Sequence, residues 1–163
     1  MVSEKDIELE LPKEIAQGIN EPFKVCFVCT GNTCRSPMAA AVLNHLGGGY
    51  FQAESAGLSA VNGDAIAENA RLALEKAGIE PDAVNDYRFH YARNIDENTV
   101  KKSDRIVAMT ESHFMQLIYR FPQYASKISV MEKDIPDPFM GNYGVYEKCL
   151  DLITECLKGM FEL

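Results

Sequence analysis

Apolar and polar positions follow two rhythms along this chain. Four short stretches are rich in β-branched, aromatic or otherwise apolar residues: Val25-Cys26-Phe27-Val28-Cys29, Phe51-Gln52-Ala53-Glu54-Ser55-Ala56, Arg105-Ile106-Val107-Ala108-Met109 and Lys127-Ile128-Ser129-Val130-Met131. Each has the length and composition of a strand. Between and after them the helical period takes over. Pro37 to Leu46 is an Ala-rich helix stopped by Gly47-Gly48-Gly49, and Pro37 suits the first helical position, where no N–H is needed. Asn62-Gly63-Asp64 turns into a helix that runs through Ala77 and stops at Gly78. Asp96-Glu97-Asn98 opens a short helix to about Lys102, and Thr110-Glu111 starts another from His113 to Tyr119. The last helix, about Tyr143 to Met160, carries Tyr146, Cys149, Leu150, Ile153, Cys156, Leu157 and Met160 on one stripe. Strands alternating with helices predict one doubly wound α/β domain with a central four-stranded parallel sheet flanked by helices.

Composition narrows the class. A chain of 163 residues with 47% hydrophobic residues and no long apolar run reads as a globular protein without a membrane span. Met1 to Asp6 is charged and has no signal-peptide core. In residues 1–21, Leu9, Leu11 and Ile15 are scattered among Glu8, Glu10, Lys13 and Glu14, and Pro12 interrupts any helix. This reads as a flexible arm before a domain at 22–163, with a partner-binding arm as the alternative. Five cysteines, an odd number, argue against a disulfide scaffold and for a reducing cytoplasm. A net charge of −8 with no basic run argues against nucleic-acid binding. His45, His90 and His113 show no ligand spacing with the cysteines, so neither a metal nor another cofactor is expected.

The candidate chemistry sits where the first strand meets its helix, at Cys29-Thr30-Gly31-Asn32-Thr33-Cys34-Arg35-Ser36-Pro37. A loop leading into a helix N-terminus aims several backbone N–H groups at one spot, and the helix dipole adds positive charge. Such a spot binds an anion, so inorganic phosphate or a similar oxyanion is the expected occupant of Thr30 to Ser36. A thiolate is stabilised there too, which makes Cys29 a nucleophile. Arg35 offers a planar fork of donors suited to phosphate oxygens. Ser36 can hydrogen-bond the Cys29 sulfur and ease its departure. Gly31 permits the tight turn, and Asn32 tolerates a left-handed backbone while its amide braces the loop. The plain alternative is a buried cysteine in a tight turn beside a surface arginine.

Cys29 to Ser36 resembles the C-x5-R-S signature loop of the low-molecular-weight protein tyrosine phosphatase family, and the likeness runs from about Phe23 to the C-terminus. A second motif supports it. In Asp134-Ile135-Pro136-Asp137-Pro138-Phe139, Asp137 stands between two prolines that stiffen its backbone, and the stretch resembles the family's Asp-Pro-aromatic loop. The resemblance implies that Asp137 protonates the leaving group as Cys29 attacks phosphorus, and then activates water as a base. Asp134 is the local competitor for that role. The resemblance also implies that Ser55 and His90 brace Asn32 from behind. The stretch between Gly78 and His90 looks longer than is usual for the family.

The implied function is a metal-independent protein phosphatase that hydrolyses phosphotyrosine in protein substrates through a cysteinyl-phosphate intermediate. The close alternative is a protein-arginine phosphatase. Thr33 stands where phosphotyrosine enzymes of the family carry a branched aliphatic residue, and Val61 stands where they carry an aromatic wall. The loop sequence and Met109-Thr110 resemble the arginine-specific members. A hydroxyl in the pocket can pair with a guanidinium. A more distant alternative is a thioredoxin-linked arsenate reductase, which needs two further cysteines. Cys149 and Cys156 lie on the apolar stripe of the last helix and read better as core. A module that binds phosphate without turnover needs neither Cys29 nor Asp137. Cys34, five positions beyond Cys29, is a candidate partner for a reversible disulfide under mild peroxide, its plain alternative being a loop-packing thiol.

Overall fold

Four parallel strands carry everything that follows, in the order β2-β1-β3-β4. In this computed structural model, which describes residues 21–81 and 86–163, they are β1 (Phe23–Cys29), β2 (Phe51–Gly57), β3 (Arg105–Ala108) and β4 (Ile128–Val130). The arm expected over residues 1–21 falls, up to residue 20, outside the described residues, as do residues 82–85 of the stretch before His90. Among the described residues four helices lie between the strands, α1 (Arg35–Leu46), α2 (Glu68–Lys76), α3 (Glu97–Lys102) and α4 (Glu111–Arg120), and a fifth, α5 (Tyr143–Phe161), follows β4.

The pleat of β1 divides the core in two. Val25 and Phe27 point to one face and pack with α1, α2 and the stripe of α5. Cys26 and Val28 point to the other and pack with Val100 of α3 and Leu117 of α4. Both faces of β1 are therefore buried, which accounts for its unbroken apolar run. The chain leaves β1 for β2 on one side and returns to β3 on the other. The carboxyl end of β1 is thus the switch point where open α/β sheets bind ligands.

Two helix starts differ from the sequence expectation. Cys34 occupies the cap of α1, and Pro37 is its third residue rather than its first. The first-turn N–H groups have no helical partner, so the proline is tolerated there equally well. The second helix begins at Glu68, not directly after Asp64. The backbone of residues 63–67 is committed to tertiary partners: Gly63 N–H donates to the Ala92 carbonyl, Ala92 N–H to the Asp64 carbonyl, and Ala67 N–H to the Thr33 carbonyl. Short 3-10 turns at Tyr87–Phe89 and Pro122–Lys127 had no clear signal in the sequence.

Candidate active site

Residues 30–34 wrap the N-terminus of α1 at the end of β1, and the loop's shape depends on Asn32. Asn32 is fully buried and takes a left-handed backbone, φ 57°, a conformation that short polar residues reach at modest cost. Its side-chain amide donates to Ser36 Oγ and to Ser55 Oγ, both at 2.9 Å, and its Oδ1 accepts the Arg93 N–H at 3.0 Å. Its carbonyl accepts from His90 Nε2 at 2.7 Å. That contact fixes the His90 proton on Nε2, since a carbonyl can only accept. Burial holds His90 below the ordinary histidine value, which favours the neutral ring. Ser55 and His90 therefore meet Asn32 from β2 and from the segment before α3.

Satisfying Asn32 orients the next group. Because Ser36 Oγ already accepts from Asn32, its hydrogen is free to point at Cys29 Sγ, 3.0 Å away, with the Ala56 carbonyl farther off at 3.5 Å. Replacing Asn32 with alanine leaves two serines and a backbone N–H short of a partner and keeps the left-handed backbone. The expected cost is about 3 kcal/mol in urea unfolding, together with a fall in turnover as Ser36 loses its orientation.

Cys29 is 2% exposed and Arg35 6% exposed, and both line a cavity of about 240 Å³ together with Thr33, Asp64, Asp137 and Phe139. Arg35 is the first residue of α1, so its guanidinium and the dipole end of the helix share the base of the cavity. This local charge is positive although the chain as a whole is acidic. Nη1 donates to the Ile135 carbonyl at 3.1 Å, and Nη2 lies 3.6 Å from Asp137 Oδ2. The arginine thereby links the phosphate loop to the segment carrying Asp137. Asp137 itself is half-exposed, and its Oδ1 accepts the Phe139 N–H at 3.1 Å.

Asp134, the competing acid, is occupied elsewhere: its Oδ1 accepts the Glu111 N–H at the start of α4 at 2.9 Å. Cys149 Sγ lies 3.8 Å from the Pro136 carbonyl, and burial pushes this thiol up to about 12. Cys156 is 3% exposed. Cys34 is a free thiol in contact with the Tyr146 hydroxyl at 3.4 Å, and burial raises it above the ordinary thiol value. Sequence reasoning missed Tyr146 as a neighbour of the loop, Asp64 as a wall of the cavity, and His113, whose Nε2 is 2.9 Å from Thr30 Oγ1. Only Thr110, as a helix cap, left a local signal near one of them. Among the described residues no group of three or more His, Cys, Asp or Glu side chains gathers as metal ligands, and no helix is long and apolar enough to cross a membrane.

A buried thiol facing an arginine and a helix N-terminus, with a carboxyl across the opening, is the arrangement of a cysteine-based phosphatase on a doubly wound parallel sheet. Comparison with known proteins agrees. Residues 24–163 match the family described as low molecular weight phosphotyrosine protein phosphatase, and the chain belongs to that family, within the phosphoric monoester hydrolases. A protein-arginine-phosphatase of Geobacillus stearothermophilus is 34% identical over 148 residues, covering 86% of this chain and 95% of the relative. A low molecular weight protein-tyrosine-phosphatase of Streptomyces coelicolor is 30% identical, covering 85% and 91%. The solved YwlE arginine phosphatase from Geobacillus stearothermophilus superposes with a TM-score of 0.77 at 31% identity, over 86% of this chain and 92% of its own.

Proposed function

We propose that this chain is a protein phosphatase that removes phosphate from arginine side chains through a cysteinyl-phosphate intermediate. The observation that carries the arginine reading is Thr33. It lines the cavity, and its Oγ1 pairs only weakly with Cys34 Sγ at 3.6 Å, which leaves the hydroxyl open to a substrate N–H. An alkyl side chain there would leave a guanidine N–H without a partner. The wall at Val61 is aliphatic, and the Asp64 carboxylate borders the same cavity, which suits a cationic side chain better than a phenol. The relative named as an arginine phosphatase supports the same reading.

In this mechanism the phosphoryl oxygens sit over the loop N–H groups and the Arg35 fork. The Cys29 thiolate attacks phosphorus, the P–N bond breaks, and Asp137 gives its proton to the departing guanidine nitrogen. Ionised Asp137 then takes a proton from water as the oxygen attacks the cysteinyl phosphate. The S–P bond breaks, inorganic phosphate is released, and the Ser36 hydroxyl stabilises the returning thiolate. Charge stabilisation comes from Arg35 and the end of α1. Free thiols at all five cysteines suit a reducing cytoplasm as the place of action. The second reading is phosphotyrosine, favoured by Phe139, whose exposed ring at the cavity mouth offers a face for stacking a phenol.

Initial rates on matched phosphoarginine and phosphotyrosine peptides test the choice. Wild type is expected to prefer phosphoarginine, and Thr33→Ile is expected to lower that preference by about tenfold, the effect of roughly one lost hydrogen bond. A wild-type preference for phosphotyrosine that Thr33→Ile leaves unchanged would favour the second reading.

A further inference from the structure

The buried imidazole of His113 takes no part in the chemistry above, yet it sits between the two loops that do. It is the third residue of α4, directly after β3, and is 4% exposed. Its Nδ1 lies 3.0 Å from Thr110 Oγ1, and its Nε2 lies 2.9 Å from Thr30 Oγ1. Thr110 Oγ1 also accepts the backbone N–H of His113 at 3.2 Å. The Thr110 hydroxyl hydrogen is then free for Nδ1, an arrangement in which Nε2 carries the ring proton and donates it to Thr30 Oγ1.

Thr30 follows the nucleophile directly. Its carbonyl is held by the Ser59 N–H at 3.0 Å, and its side chain is held by His113. The turn that presents His113 also anchors the segment leading to Asp137. Asp134 Oδ1 accepts the Glu111 N–H, and the Ile135 N–H donates to the Met109 carbonyl at 3.0 Å. One short turn therefore touches both halves of the site.

We propose that His113 is a positioning residue for the phosphate loop: its Nε2–H holds the Thr30 hydroxyl and fixes the first peptide after Cys29 against the turn that also carries the acid loop. His113 would then complete a pair with His90, which grips the Asn32 carbonyl of the same loop. The role needs a neutral ring, and its surroundings provide one. Burial holds His113 down to about 4. Arg35 of α1 pushes in the same direction, while Asp137 and Asp134 of the acid loop oppose it. The N-terminus of α4 also disfavours a cation at this position. The associated stability is complete above about pH 6.5, the unfolded value, and is lost as pH falls toward about 4.

The inference rests on the phosphatase reading but not on the choice between arginine and tyrosine, so p-nitrophenyl phosphate serves as the probe for the full chain. Wild-type turnover that depends on Cys29 establishes the phosphatase reading separately. Thr30→Val keeps the side-chain shape and removes the acceptor. It is expected to lower kcat by about tenfold with KM changed by less than about twofold. The Thr30→Val, His113→Leu double variant is expected to be no slower than the slower single variant. His113→Gln, whose amide N–H falls near the place of Nε2, is expected to regain most of what His113→Leu loses. Nitrogen NMR of the ring is expected to show the Nε2–H tautomer at neutral pH. Wild-type kcat in Thr30→Val, fully additive losses, or the Nδ1–H tautomer would overturn the proposal. If His113→Leu does not fold, Thr30→Val and the ring spectrum still decide.

Discussion

Replacing Cys29 with serine is expected to lower turnover by about 10⁴-fold or more on any phosphorylated substrate while phosphate binding survives. The two effects separate because the cavity divides its work. In the proposed mechanism Arg35, the loop N–H groups and the end of α1 hold the anion, and none of them is altered. Only the proposed attacking atom changes, from a thiol sulfur to a hydroxyl oxygen. Serine differs from cysteine by one atom and keeps the space of the site, so binding of inorganic phosphate is expected to hold. Steady-state rates and calorimetry with inorganic phosphate read the two effects independently. Substantial turnover in Cys29→Ser would sink the covalent mechanism, and lost phosphate binding would mean that the loop had collapsed.

The residues that were legible in the sequence share a property: their partners are close along the chain or fixed by local stiffness. Cys29, Asn32 and Ser36 lie within one loop, so the strand, the glycine, the left-handed asparagine and the helix start define their relation before any tertiary contact forms. Asp137 is presented by prolines on both sides. Ser55 and His90 were reached only through family resemblance, since nothing local ties them to a loop 23 and 58 residues away. His113 and Thr30 are 83 residues apart, and their contact exists only because β3 lies beside β1. No periodicity or motif carries that adjacency. The start of α2 was misread for a related reason. Residues 63–67 have a plausible helical pattern, but their backbone groups bond to Ala92 and to Thr33. Tertiary hydrogen bonds outweighed local propensity there. The segment they pin down brings Asp64 to the cavity wall.

Asp137→Asn is the second change expected to have a large effect, and its size should depend on what is leaving. A general acid contributes most when the departing group is strongly basic, because without a proton that group must leave as an unstable anion. Turnover of a phosphoarginine or phenyl phosphate substrate is expected to fall by about 10² to 10³-fold. p-Nitrophenyl phosphate, whose product anion is stable, should lose far less. The structure supplies the control. Asp134, three residues earlier, is held by the Glu111 N–H, whereas Asp137 faces the cavity near Arg35. Asp134→Asn keeps an oxygen for Glu111 and should retain the wild-type dependence on the leaving group. An equal loss on all substrates in Asp137→Asn would assign Asp137 to the dephosphorylation step alone. A leaving-group effect that appeared instead in Asp134→Asn would move the acid to Asp134. The proline-flanked geometry argues for a leaving-group-dependent loss in Asp137→Asn. Asp137 accepts the Phe139 N–H through one oxygen and keeps the other 3.6 Å from Arg35, on the wall of the same cavity that Cys29 lines.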